Sequence, residues 1–232
     1  MIQINNLSKE YHSEVVLNIP ELLIKQNQSV GLVGNNGAGK TTLFRLVLDL
    51  IKANSGNVSS KGVDVRNTND WKFYTGSYLD QNFLIDFLTP VEYFEFLGEV
   101  HNLSKGDITN FYDENDEFFA GEIIGKNKYI RDLSQGNRQK VGIAAALMFK
   151  PELVVLDEPF NGLDPSTQIR LINRINKLKQ EDGVTFLISS HDLSHVTEVS
   201  DRIVVLKEGA IIYDLEKNEN TLKELESFFA TH

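Results

Sequence analysis

The chain has 232 residues, of which 41% are hydrophobic and 24% charged, enough to bury a sizeable core in one large domain or a domain with subdomains. Formal net charge is −10, with no Lys/Arg-rich run, which argues against a phosphate-tracking nucleic-acid binder. The absence of cysteine excludes disulfides and thiol chemistry. The longest unbroken apolar stretch, residues 143–149, is far short of the roughly 20 residues a membrane helix needs, and the N-terminus lacks the pattern of a signal peptide, so no membrane span and no export are expected.

Residues 2–4 and 15–19 read as short strands bordered by polar turns, suited to an antiparallel or edge position. Residues 29–33, 76–79, 153–157, 184–189 and 203–206 are more uniformly apolar, as in strands covered on both faces. Lys207-Glu-Gly-Ala210 reads as a hairpin turn into a last strand, 211–214. Between these runs, Leu43, Leu46, Val47 and Leu50 make one apolar helical stripe, and Leu171, Ile172, Ile175 and Leu178 make another after Asp164-Pro165, a capping residue followed by proline at the first helical position. Strand–loop–helix units in this order imply a mostly parallel α/β sheet. The stretch of residues 86–149, starting at Thr89-Pro-Val-Glu92, lacks strand signals and reads as an inserted helical part. Its Phe94, Phe96, Phe111, Phe118 and Phe119 read as packing residues at helical spacing.

Gly34-Asn-Asn-Gly-Ala-Gly-Lys-Thr41 lies between an apolar strand and an amphipathic helix, the context a phosphate-binding loop requires. Successive backbone N–H groups and the helix N-terminus converge on anionic oxygen there. Gly37 and Gly39 allow the required backbone angles, Lys40 supplies a mobile positive charge, and the Thr41 hydroxyl can ligate magnesium. Asp157 ends an apolar strand at the sheet edge where α/β folds bind ligands, and it can hold magnesium. Glu158 faces elsewhere and can polarise an attacking water. Gln81 and His191 each follow a strand. On their own they read as a surface glutamine and a structural histidine, although Gln81 could reach a metal or water and His191 a γ-phosphate.

Taken with Leu133-Ser-Gln-Gly-Asn137 and Asn161-Gly-Leu-Asp164, these segments resemble the ATP-binding subunits of ABC transporters over essentially the whole chain. The resemblance implies an α/β P-loop NTPase core (1–85 and 150–232) with a mostly parallel sheet and an antiparallel β subdomain, and an inserted α-helical subdomain (about 86–149). Ser134 and Gly136 fall in the family's signature motif, Gln81 in its Q-loop, Asp164 in its D-loop, and His191 matches its switch histidine. Tyr11, in Leu7-Ser-Lys-Glu-Tyr11, matches the aromatic that stacks on adenine. The implied nucleotide contacts are Asn35, Asn36, Gly37, Ala38, Gly39, Lys40, Thr41 and Thr42, with Tyr11, Ser134, Gly136 and Asp164. Thr41, Gln81 and Asp157 are implied at Mg2+, and Glu158, His191 and Gln81 in catalysis. Gln135 and Asn137 depart from the family's signature, which normally has glycine and glutamine there.

The implied activity is Mg-dependent ATP hydrolysis by two facing copies, or a pair of related subunits, that sandwich two ATP molecules. These would drive transport through a separate integral membrane chain, docked near Gln81 and residues 83–96, from the cytoplasmic face of the membrane. Leu88-Thr-Pro-Val-Glu-Tyr-Phe-Glu-Phe96 resembles export-type subunits. The competing expectation is a soluble ABC ATPase acting on a cytosolic partner.

Overall fold

The computed structural model describes residues 1–231. Strands β1 (Ile2–Tyr11) and β2 (Glu14–Ile24) form a hairpin closed by His12 and Ser13, both at positive φ, the two-residue turn that suits strand twist. Ile2, Ile4 and Leu7 face Ile24, Leu22 and Ile19 across it, all buried. Both strands run longer than their apolar runs suggest, because alternate polar residues point to solvent while the backbone keeps pairing. β3 (Ser29–Val33) is buried at all five positions and feeds the loop before α1 (Lys40–Val47). The expected stripe on α1 breaks before Leu50. The helix stops at Val47, Asp49 takes a left-handed conformation, and Leu50 is about half exposed.

β4 (Ser55–Ser60) and β5 (Val63–Asp64) complete an antiparallel sheet in the order β2-β1-β4-β5. Nothing in Ser-Gly-Asn-Val-Ser-Ser marks a strand except Val58, which pairs with Ile4. β6 (Thr75–Tyr78) then enters the second sheet.

Between β6 and β7 (Leu153–Leu156) the chain is helical, as expected: α2 (Pro90–Val100), α3 (Lys105–Glu114), α4 (Asp116–Phe119) and α5 (Gln135–Leu147). Thr89 and Glu92 form a reciprocal capping box that starts α2, satisfying N–H groups that would otherwise lack partners. Phe94, Phe111, Phe118 and Phe119 are buried together, with the Phe94 and Phe111 rings edge to face at 5.0 Å. Phe96 does not join them and is exposed, a correction to its expected packing role.

The chain continues through α6 (Pro165–Asp182), β8 (Thr185–Ser190), α7 (Leu193–Val199), β9 (Arg202–Lys207), β10 (Ala210–Glu216) and α8 (Thr221–Thr231). The second sheet has the order β10-β9-β3-β8-β7-β6, parallel from β9 to β6, with β10 antiparallel at one edge. The α5 backbone packs so close to β6 that a Cβ on Gly76 would lie 1.8 Å from the Ala146 carbonyl oxygen, which only glycine allows. One apolar core lies between this sheet and α2–α6; another lies between it, α1 and the antiparallel sheet. This topology brings the C-terminal ends of β3, β7 and β8 side by side, where a parallel α/β sheet binds its ligand.

Candidate functional site

Gly37 and Gly39 have φ of 84° and 105°, the conformations expected of the loop after β3. The loop is held from outside. The Gly209 N–H donates to the Ala38 carbonyl at 3.0 Å, and a Cβ on Gly39 would meet the Val16 carbonyl oxygen at 3.0 Å. Gly209 sits in the β9–β10 turn with Glu208, both at positive φ, as the hairpin reading expects. No side chain caps the start of α1, leaving its first-turn N–H groups available to an anion.

Lys40 is buried and curls back over the loop. Its Nζ donates to the Gly34 carbonyl at 2.6 Å and the Asn35 carbonyl at 3.4 Å, and lies 3.5 Å from Glu158 Oε1. Thr41 Oγ1 donates to Asp157 Oδ2 at 2.5 Å. Asp157 is buried just beyond β7, and burial raises its pKa above the ordinary carboxylate value, opposed by hydroxyl donors from Ser189 and Thr41 and by Lys40. Glu158 follows in the left-handed region, φ 48°, uncommon for a side-chain-bearing residue and a sign of surrounding constraint. Its Oε2 accepts from His191 Nδ1 at 2.8 Å and from the His191 N–H at 3.2 Å. An ionised carboxylate only accepts, so this contact puts a proton on Nδ1.

Lys40, Thr41, Asp157, Glu158 and His191 thus form one connected group drawn from the ends of three strands. Gln81 stands apart. It lies in a 3-10 turn after β6, and its Nε2 donates to the Gln135 carbonyl at 3.2 Å instead of reaching Asp157. Ser134 is the N-cap of α5, accepting from the Asn137 N–H at 3.2 Å. Gly136 lies against the Asn161–Asp164 segment, where an added Cβ would be 2.8 Å from the Gly162 carbonyl oxygen. Asp164 caps α6 through Thr167, and the hydroxyls of Ser166 and Thr167 hold its carboxyl well below the usual range. Tyr11, at the end of β1, is partly exposed with the Lys9 ammonium 4.8 Å from its ring centroid. Asn35, Asn36 and Thr42 lie in the loop and the first turn of α1.

Two residues that the sequence reading passed over complete the site. Ser189, fully buried in β8, donates its hydroxyl to Asp157 Oδ1 and accepts the Glu158 N–H at 2.8 Å. Gln139 in α5 donates to the Glu158 and Pro159 carbonyls at 3.2 and 2.8 Å. Neither lies in a glycine-rich or charged motif; Ser189 stands only two residues before His191. The paired Thr41 hydroxyl and Asp157 carboxyl present hard oxygen donors of the kind magnesium prefers. Among the described residues no group of three or more His, Cys, Asp or Glu side chains could cage a metal.

Residues 17–161 match the ABC transporter family. The chain is 34% identical over 225 residues to the bacitracin transport ATP-binding protein of Enterococcus faecalis, covering 94% of this chain and 70% of that protein. It is 31% identical over 213 residues to the linearmycin resistance ATP-binding protein of Bacillus subtilis, covering 91% and 68%. The phosphonates import ATP-binding protein of a Ruegeria species is 32% identical over 244 residues, covering 99% and 95%. Among solved structures, an ATP-binding cassette captured as a dimer in a post-hydrolysis state with ADP and Pi superposes with a TM-score of 0.82 at 25% identity, covering 93% of this chain and 98% of that one. Sequence and fold agree with the site geometry: the chain belongs to the ABC transporter family.

Proposed function

We propose that this chain is the ATP-hydrolysing motor subunit of an ABC transporter, using Mg2+ and driving transport through a separate membrane subunit. The observation that carries this reading is the joining of Lys40, Thr41, Asp157, Glu158 and His191 at adjacent strand ends. The loop N–H groups and the start of α1 hold the polyphosphate. Lys40 exchanges its carbonyl and Glu158 partners for phosphate oxygens, which frees Glu158. Glu158 then accepts a proton from the attacking water, a role worth about 10²–10⁴-fold in rate. His191 keeps its carboxylate aimed. Thr41 and Asp157 hold magnesium, and Gln81 joins them only after releasing the Gln135 carbonyl. Bound there, the ion neutralises phosphate charge as a Lewis acid.

A second copy, or a related subunit, supplies Ser134 and Gly136 from across the interface, and Tyr11 stacks on the base. Asp164 lies where the D-loop of one copy meets the site of the other. Nucleotide-dependent closure and reopening of the pair provides the two-state switch.

The membrane subunit docks in a groove of about 240 Å³ between β6, α2 and α5, rimmed by exposed Phe83 and Leu50. No helix among the described residues is long and apolar enough to cross a membrane. In this reading the motor works from the cytoplasmic face through its contact with the membrane subunit. The relatives include proteins named for bacitracin transport, linearmycin resistance and phosphonates import, so export as the direction rests on the resemblance of residues 88–96 to export-type subunits. Co-purification from detergent-solubilised membranes tests the assignment. A stoichiometric multi-spanning protein is expected; recovery with cytosolic partners alone contradicts it.

A further inference from the structure

Glu158 is held in an unfavourable backbone conformation beside a buried carboxylate, and one hydroxyl touches both. Ser189 Oγ accepts the Glu158 N–H at 2.8 Å and donates its own hydrogen bond to Asp157 Oδ1. The other oxygen of Asp157 takes the Thr41 hydroxyl at 2.5 Å, so both lone-pair edges of the carboxyl are fixed. The side chain of Ser189 is fully buried. Linked donors and acceptors of this kind polarise one another in a low-dielectric interior. Apolar Val, Ile or Ala at position 189 would extend β8 equally well, since the strand is buried throughout. A polar residue at a fully buried position needs its partners, and here those partners are the two acids of the site.

We propose that Ser189 is a positioning residue for hydrolysis. It orients Asp157 toward Thr41 and the metal, and it pins the Glu158 backbone so that this carboxylate faces Lys40 and His191. The proposal rests on the ATPase reading above. It adds to the phosphate loop and the two acids a residue that acts through Asp157 and Glu158. Loss of such an outer partner typically costs about 10–100-fold in activity or metal affinity.

The test compares Ser189→Ala, Ser189→Val and Ser189→Thr. Valine and threonine add the same bulk, so their difference isolates the hydroxyl even if that bulk disturbs the strand. Three quantities are read: kcat and KM for MgATP, ATP affinity in EDTA, and Mn2+ affinity of the ADP-loaded protein by electron paramagnetic resonance. The proposal expects alanine and valine to lower kcat and weaken Mn2+ binding by about 10–100-fold, with ATP affinity in EDTA changed by less than about threefold, and threonine to recover most of both losses. Wild-type kcat and Mn2+ affinity in Ser189→Val would overturn it. Equal losses in valine and threonine would overturn it too, by assigning the effect to bulk. If the wild-type chain hydrolysed no ATP, the functional reading would fall while the Mn2+ comparison still decided the link from Ser189 to Asp157.

Discussion

The His191 imidazole and the Glu158 carboxylate are joined twice, ring Nδ1 to Oε2 at 2.8 Å and backbone N–H to the same oxygen at 3.2 Å. The backbone contact holds the carboxylate near the end of β8 whatever the ring does. The ring contact sets its rotation. His191→Ala therefore removes orientation without removing the base. The expected outcome is a fall in kcat of about 10²-fold, with ATP affinity within a few-fold of wild type, read by steady-state kinetics and equilibrium binding.

Lys40 makes its strongest contacts with the loop that it also serves, the carbonyls of Gly34 and Asn35. Lys40→Ala removes a buried cation, and hydrogen bonds from such a group to a phosphate would be worth about 1.5–3 kcal/mol each. ATP affinity should fall by at least about tenfold, measured by calorimetry, and unchanged affinity would remove Lys40 from phosphate binding.

Burial raises the folded pKa of Asp157 above its ordinary 3.8. A carboxyl shifted in that direction favours the folded state when protonated, and the advantage is lost as pH rises through the raised value. Ionising Asp157 therefore weighs on the metal-free fold. In EDTA, Asp157→Asn should gain in Tm relative to wild type as pH rises from the ordinary carboxylate value of 3.8 through the raised one, while Mg-dependent hydrolysis is lost. A difference in Tm that does not change with pH would contradict the burial argument.

Gly136 has an intramolecular reason to be glycine besides any contact with nucleotide on a second copy. Gly136→Ala would drive a Cβ to within 2.8 Å of the Gly162 carbonyl oxygen, so the Asn161–Asp164 segment or the start of α5 must shift. Slowed hydrolysis is expected together with increased hydrogen exchange at residues 159–164. Slowed hydrolysis with no exchange change there would leave only the intermolecular role.

The phosphate loop, the buried strands, the cap of α6 and the helical segment after β6 were legible because each leaves a local mark: glycines at fixed offsets, runs of apolar residues, or a capping residue before proline. β4 was not, since its pairing with β1 is made by backbone and Val58 is its only apolar residue. The packing of the phenylalanines was read correctly for Phe94, Phe111, Phe118 and Phe119 but not for Phe96, whose helical phase points it outward. The partner of Gln81 was beyond sequence reading, because the Gln135 carbonyl it meets is 54 residues away. Ser189 was missed for a related reason. A serine in a strand carries no signal until the fold sets it between two acids from a neighbouring strand.

The central claim, that Glu158 activates water at a site closed by a second subunit, is tested most directly with Glu158→Gln. Turnover of MgATP and mass by light scattering are measured side by side for variant and wild type. The account predicts retained ATP binding, a loss of turnover of about 10²–10⁴-fold, and an ATP-dependent dimer that persists because hydrolysis no longer opens it. Wild-type turnover in that variant would contradict it.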